Sequence, residues 1–295
     1  MNMRYYITLG IIKFISHIPF RLLYALSDAL YFPFYYMVRY RRKIVRKNLT
    51  ESFPNKTISE VKTIERDFYR YFLDMLLESC KLMSISADEM RKRMKFVNIE
   101  LLEEMLSRGQ SISAFLGHHC NWEWISSSGL WFRDQGTVVQ IYHQLHNQAM
   151  NRIITKMRTR MGNACVNMNS TVRYMIQATS NDEPHIYGLI ADQSPRKNES
   201  KHYTTFLNHR VPVVTGPEKA TKHFGFAAVY ISVKKCKRGY YECIISPLHD
   251  NVQTLPDYEL TTLYYQRLEN DILQQPELYL WTHNRFKYAH QNCNI

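Results

Sequence analysis

Apolar residues are densest at the start of the chain, where Tyr5 to Ile12 and Leu22 to Val38 form two runs separated by Lys13, His17, Pro19 and Arg21. The second run holds 17 residues but includes Asp28 and Pro33, and a spanning helix needs about 20 predominantly apolar residues. A span, a helix lying in the membrane interface and a buried core helix all fit this pattern. From Thr57 the period becomes helical. Val61, Ile64, Phe68, Tyr71, Phe72, Met75 and Leu76 recur at three- and four-residue intervals to about Met83, behind the capping signature Thr57-Ile58-Ser59-Glu60. Glu78 lies near the apolar face of that helix and is expected to be half exposed unless the helix packs against a site. A second helix is expected over Ile99 to Ser107, ended by Gly109.

Strands and helices then alternate. Strands are expected over Ser111 to Leu116, Thr137 to Tyr142 and His185 to Ala191. Helices are expected over Glu123 to Trp131, Gln148 to Met161, Val172 to Thr179 and Tyr258 to Leu273. Thr215-Gly216-Pro217 opens a further helix through Phe224, since proline suits a first helical turn. Ala227 to Lys234 and Tyr240 to Ser246 read as a hairpin around Cys236-Lys237-Arg238-Gly239. The alternation predicts an α/β fold: a single catalytic domain with a central mixed, partly parallel sheet flanked by helices, preceded by an N-terminal membrane-associated helical segment. The boundary is placed between 1–47 and 48–295; no repeat, low-complexity tract or linker divides the second part.

In an open α/β sheet, sites gather beyond the carboxyl ends of strands. His118, His143 and Asp192-Gln193 occupy such ends, so three polar strand ends are expected to converge, although an isolated His143 also suits a loop and a lone Asp192 a turn cap. The central stretch is Gly117-His118-His119-Cys120-Asn121-Trp122-Glu123-Trp124, between a strand and a helix start. An imidazole at the strand end can accept a proton from an alcohol, and Glu123 is expected to hold its other ring nitrogen in the useful tautomer. Asn121 suits the helix cap. Spacing alone also fits a structural histidine.

Charge adds a partner class. The formal net charge is +12, which favours a polyanion, whether membrane surface, nucleic acid or acidic protein. Six cations in Arg39 to Lys47 directly follow the apolar segment, and juxtamembrane cations contribute about 1 kcal/mol each on an anionic leaflet. Membrane anchoring, with the remainder of the chain on the cytoplasmic side, is therefore the preferred reading over a merely solvated basic face. The 21 tyrosines suit headgroups or base stacking alike. Cysteines at 80, 120, 165, 236, 243 and 293 form no C-x-x-C pair; free thiols in a reducing compartment are expected, although Cys236 and Cys243 flank the hairpin turn.

Taken together, these residues resemble the bacterial lipid A biosynthesis acyltransferases, the late lauroyl or myristoyl transferases, within the wider group marked by a His-x4-Asp/Glu motif. Gly117-His118 with Asn121-Trp122-Glu123 matches that family's G-H-x-x-N-W-E form. Arg46-Lys47-Asn48-Leu49 with Phe53-Pro54 looks like its N-L…F-P stretch, Arg158 to Gly162 like its R-x-R-x-G segment, and Ala191-Asp192-Gln193 like its D-Q turn. Thr215-Gly216-Pro217 is similar to its small-residue helix start. The most specific match is Pro276 to Lys287, similar to the terminal P-E-x-Y-x-W-x-H-x-R-F-K. Departures are Phe206-Leu207-Asn208 for a frequent F-F-G, Cys120 for a frequent glycine and Asn284 for a frequent arginine.

The resemblance implies an inner-membrane enzyme that transfers a fatty acyl chain from an acyl carrier protein thioester to a hydroxyl of a lipid A precursor. It implies His118 as general base, Glu123 as its partner, and Arg160 as candidate oxyanion donor or phosphate contact. Arg158 is expected to form an ordinary surface pair, Asp192 to position the site or an acceptor hydroxyl, and His119 and Cys120 to stand aside. No cofactor, metal or nucleic acid is required. A lysophospholipid or amino-acid lipid acceptor is the alternative within the same chemistry. Outside it stand a metal hydrolase using His118, His119 and Cys120 or Glu123, and a nucleic-acid binder without a recognisable motif.

Overall fold

The computed structural model describes residues 3–132, 136–195 and 202–289; Cys293 lies outside the described residues. The helices are α1 (Met3–His17), α2 (Phe20–Phe32), α3 (Arg42–Ser52), α4 (Ile58–Lys81), α5 (Ala87–Arg93), α6 (Glu100–Ser107), α7 (Gln148–Thr159), α8 (Thr171–Ser180), α9 (Gly216–Phe224) and α10 (Glu259–Gln274). The strands are β1 (Met94–Val97), β2 (Ile112–Leu116), β3 (Thr137–Tyr142), β4 (Ala164–Asn167), β5 (His185–Ile190), β6 (Tyr203–Phe206), β7 (His209–Pro212), β8 (Ala227–Lys237) and β9 (Tyr240–His249). A π-helical turn, Pro33–Val38, continues α2, and a 3-10 helix, Trp122–Leu130, follows β2.

Seven strands form one sheet in the order β1-β9-β8-β2-β5-β3-β4. Every neighbouring pair is parallel except the β8–β9 hairpin. The α/β fold with a mixed, mostly parallel sheet flanked by helices is thus present. The four-residue strands β1 and β4 are too short for any period to mark them in the sequence. β6 and β7 form a separate hairpin whose two turn residues, Leu207 (φ 49°) and Asn208 (φ 63°), are both left-handed. That conformation accounts for the small residue favoured there. The five cysteines among the described residues are free.

Helix α4 opens on a complete Thr57–Glu60 capping box and carries charges inside its buried stripe: Glu65, Asp74, Glu78 and Lys81. Charges are buried this way only with partners, and α2 with its π-helical extension runs antiparallel along α4 to supply several. Tyr24 donates to Glu78 (2.8 Å) and Tyr35 to Glu65 (2.8 Å), while Arg238 bridges Asp74 and Asp28. Arg46 and Arg42 of the basic run also turn inward to Glu65, so part of the expected collar is structural. The division at residue 47 falls inside α3, which runs through it.

Helix α10 supports the carboxyl ends of the two strands that matter most. The hydroxyl of Tyr264 donates to the Leu116 carbonyl and that of Tyr265 to the Ala191 carbonyl, each at 2.9 Å. Leu268 packs so closely on the next residue, Gly117, that a Cβ there would sit 2.4 Å from its Cδ1. A side chain at 117 would have to displace that of Leu268, so the close approach, rather than a turn, favours glycine.

Candidate active site

Strands β2 and β5 are parallel neighbours with Leu116 opposite Ile190. Two residues beyond each partner come His118 and Asp192, so the register alone brings these side chains to the same edge. His118 Nδ1 lies 2.7 Å from Asp192 Oδ1, and the His118 backbone N–H donates to Oδ2 (3.2 Å). Asp192 is 1% exposed and the His118 side chain 19%. Burial by itself would raise the Asp192 carboxyl, but attraction to His118, its two hydrogen bonds and the Arg285 guanidinium hold it below the usual carboxylate range. An ionised Asp192 only accepts, so Nδ1 carries a hydrogen, and in the neutral ring Nε2 is the nitrogen with the lone pair. Nε2 faces the Gln193 side-chain amide at 3.3 Å.

The turn is held by the end of the chain. His119 bridges Tyr279, with Cys120 N donating to the Leu278 carbonyl (2.9 Å) and Leu280 N to the His118 carbonyl (3.0 Å). Cys120 is left-handed (φ 55°), which accounts for the glycine preferred at this position. Asn48 donates to the carbonyls of Trp281 and His283, and the buried Arg285 donates to Tyr265 and Pro212. The terminal motif is therefore a wall of the site. Its His283 is pushed down to about 4, chiefly by burial and with help from the Arg285 and Lys287 charges, against the attraction of the Asp192 carboxylate, and is neutral at pH 7.

Glu123 does not hold the imidazole; Asp192 takes that place. The left-handed Cys120 and the 3-10 winding after it defeat the α-helical spacing that a His118–Glu123 pairing needs. Glu123 instead accepts two bonds from Arg158, 3.0 Å from Nε and 2.5 Å from the terminal nitrogen, and one from the Trp122 indole (3.2 Å). Trp122 meets the His118 ring edge-on, with centroids 5.2 Å apart. Trp122, Glu123 and Arg158 form one part of the lining of an otherwise largely apolar cavity containing about 720 Å³ of empty space, open space at its entrance included. Its sheet wall includes Ala114 and Gly188, which are direct partners across β2 and β5, so two of the smallest side chains keep that floor low. Arg158 is accordingly no ordinary surface pair.

Residues 1–288 match the sequence model of the family described as bacterial lipid A biosynthesis acyltransferase. The chain belongs to that family. It is also 25% identical over 300 residues to the lipid A biosynthesis palmitoleoyltransferase of Escherichia coli K12 and, to the same extent, to the lipid A biosynthesis acyltransferase of Shigella flexneri. Each alignment covers 97% of this chain and 93% of the relative. The protein is thus an acyltransferase of lipid A biosynthesis, as its motifs indicate.

Several residues of this acyltransferase have places that the sequence does not predict. Arg160 does not join the pair: its guanidinium donates through Nε and one terminal nitrogen to the carbonyls of Leu82 and Ile85 just beyond α4. Asn121 caps the 3-10 helix at Trp124 N (3.2 Å), as expected, and its amide also donates to Glu78 (2.7 Å). His143 is exposed beside the Gln144 carbonyl and does not join the other two strand ends. His119 is buried against the Gln275 carbonyl, where burial lowers its pKa. Among the described residues no three His, Cys, Asp or Glu side chains gather as metal ligands, so the cluster a metal hydrolase would need does not form there.

Glu78, expected to be half exposed, is fully buried and accepts from Tyr24, Tyr241 (2.6 Å) and Asn121. It joins an N-terminal helix to the turn that carries His118. The signal for this is its place at Met75 plus three, inside the apolar stripe. Burial pushes its carboxyl up to about 7 against the hydrogen bonds of Tyr241 and Tyr24, with Asp74 raising and Lys235 lowering it. A raised carboxyl binds a proton in the fold that the unfolded chain has released, so stability falls as pH rises from the unfolded value, near 4.3, to about 7. Thermal melting between pH 4.5 and 8 should show this slope in the wild type and a flatter one in Glu78→Gln.

Proposed function

We propose that this acyltransferase moves a fatty acyl group from the thioester of an acyl carrier protein to a hydroxyl of a lipid A precursor. The observation that carries the reading is the His118–Asp192 contact at two adjoining strand ends, with Trp122 linking the imidazole to an apolar cavity. His118 Nε2 takes the proton of the acceptor hydroxyl as its oxygen attacks the thioester carbon. Asp192 keeps the hydrogen on Nδ1 and stabilises the imidazolium. When the tetrahedral intermediate collapses, the C–S bond breaks and the imidazolium returns its proton to the departing thiolate. Donor and acceptor balance each other, so the reaction needs no cofactor, metal or acyl-enzyme.

The acyl chain would occupy the cavity between the sheet and the 3-10 helix. Arg158, fixed by Glu123, would place positive charge near the carbonyl oxygen as it becomes negative. Arg158→Ala and Glu123→Ala should each lower kcat by about a hundredfold, and the double variant should be little worse than either single one, because the two act as a unit. Additive losses in a double-mutant cycle would separate them.

The net charge of +12 suits an acidic carrier protein and a phosphorylated glycolipid. We place the enzyme at the inner membrane with its catalytic part on the cytoplasmic side; α1 and α2 with its π-helical extension serve as the anchor, and α3, which crosses the boundary expected at residue 47, belongs to the catalytic part. The deciding experiment is an acyl-transfer assay with a panel of carrier-protein thioesters against a lipid A precursor, a lysophospholipid and an amino-acid lipid. Transfer to the lipid A precursor is expected; transfer confined to either other acceptor would overturn the acceptor assignment.

A further inference from the structure

We infer that α1 and α2 do not cross the bilayer but form a hairpin seated in a single anionic leaflet, leaving the amino terminus on the same side as the catalytic domain. The inference rests on the membrane placement proposed above and commits to one mode of it.

No single described helix is long and apolar enough to cross a membrane. At 1.5 Å per residue, α1 extends only about 22 Å against a hydrocarbon core of about 30 Å. Between α1 and the α2 unit the axis bends by 117°, which turns the chain back. The bend is fixed to the catalytic domain at its apex. Lys81 donates to the carbonyls of Ser16 (2.6 Å) and Ile18 (2.8 Å), and Ser84 donates to Ser16 (2.7 Å). Beyond the apex α2 stays on α4 through the Tyr24–Glu78, Asp28–Arg238 and Tyr35–Glu65 contacts. Drawing both helices into one straight span would strip Lys81 and Glu78 of these partners, and losing one partner of a buried charge is strongly destabilising.

Both helices nevertheless present large apolar side chains outward. On α1, Met3, Ile7, Ile11 and Phe14 are 55–74% exposed. On the α2 unit the most exposed are Phe32, Met37 and Val38, at 63–74%. Arg39, Arg41, Lys43 and Lys47 come next along the chain, exposed. Apolar residues bordered by cations complement an anionic leaflet, which takes up the first and attracts the second.

The test uses full-length variants with one reactive cysteine: one keeps the exposed Cys236 as a reporter of the catalytic domain, the other replaces it by a cysteine in a short Gly-Ser extension added ahead of Met1. In both variants the buried Cys120 and Cys243 stay in place and the other native cysteines become serine, with acyl transfer as the control for folding. Inside-out and right-side-out membrane vesicles are labelled with an impermeant maleimide. Both positions should label from the same side. Labelling from opposite sides would overturn the hairpin while leaving the protein membrane-bound. Recovery of both variants in the soluble fraction would overturn the hairpin together with the membrane placement. As a second measurement, Phe32→Asp/Met37→Asp should lose most of its binding to phosphatidylethanolamine–phosphatidylglycerol vesicles yet still acylate a detergent-dispersed acceptor. Unchanged binding would remove that face as the contact.

Discussion

His118→Ala should lower acyl transfer by about a thousandfold or more, the upper part of the range for removing a general base, while thermal unfolding should stay close to that of the wild type. The reasoning is local. Nε2 is the lone-pair nitrogen of the neutral ring, and the hydrogen-bond partner it has among the described residues is the Gln193 amide at 3.3 Å. The ring is partly open to solvent, so shortening it leaves no large sealed void. Its loss does strand the Asp192 carboxylate without its Nδ1 donor, although the His118 backbone N–H still reaches Oδ2 and Arg285 still supplies positive charge. Single-turnover transfer from a carrier-protein thioester, with melting as the control, is the measurement; near-native turnover in a folded variant would remove His118 from the mechanism.

Asp192→Asn should cost nearly as much, roughly 10²- to 10⁴-fold in kcat, with a smaller change in KM. A carboxylate can only accept, so it fixes the hydrogen on Nδ1. An asparagine can present its NH2 instead, which places the imidazole hydrogen on Nε2 and disables the base. The same variant changes acid stability. The Asp192 carboxyl titrates below the ordinary value in the fold, so its stabilisation is present above the unfolded value and is lost as pH falls through the folded one. Below about pH 4, Asp192→Asn should therefore lose less stability on further acidification than the wild type. Asp192 rather than Glu123 is the residue whose loss should imitate the loss of the base.

The distinction shows what can be read from the sequence. His118 and Asp192 are each visible as polar residues just after apolar strand runs, but their pairing depends on the alignment of β2 with β5, and no local pattern encodes a register between strands 74 positions apart. Glu123 is close in sequence and therefore an attractive partner, but the left-handed Cys120 and the tighter 3-10 turn send it to Arg158. Amphipathic α4, the β8–β9 hairpin and the proline-opened α9 emerge from period and turn chemistry because their signals are local. Glu78 and Arg160 escape a local reading for one reason: the partner of a charge is decided by the elements that pack beside it, here α2 and the site turn for the first and the residues just beyond α4 for the second.

The main-chain bonds from Cys120 to Leu278 and from Leu280 to His118 also bear on the order of folding. They join segments about 160 positions apart, and a loop of that length costs chain entropy to close before its contacts repay it. The β2–β5 pairing and the packing of α10 shorten that loop first, so the catalytic turn should be among the last parts to lock, and activity should return after most of the helical and strand signal when the denatured enzyme is refolded.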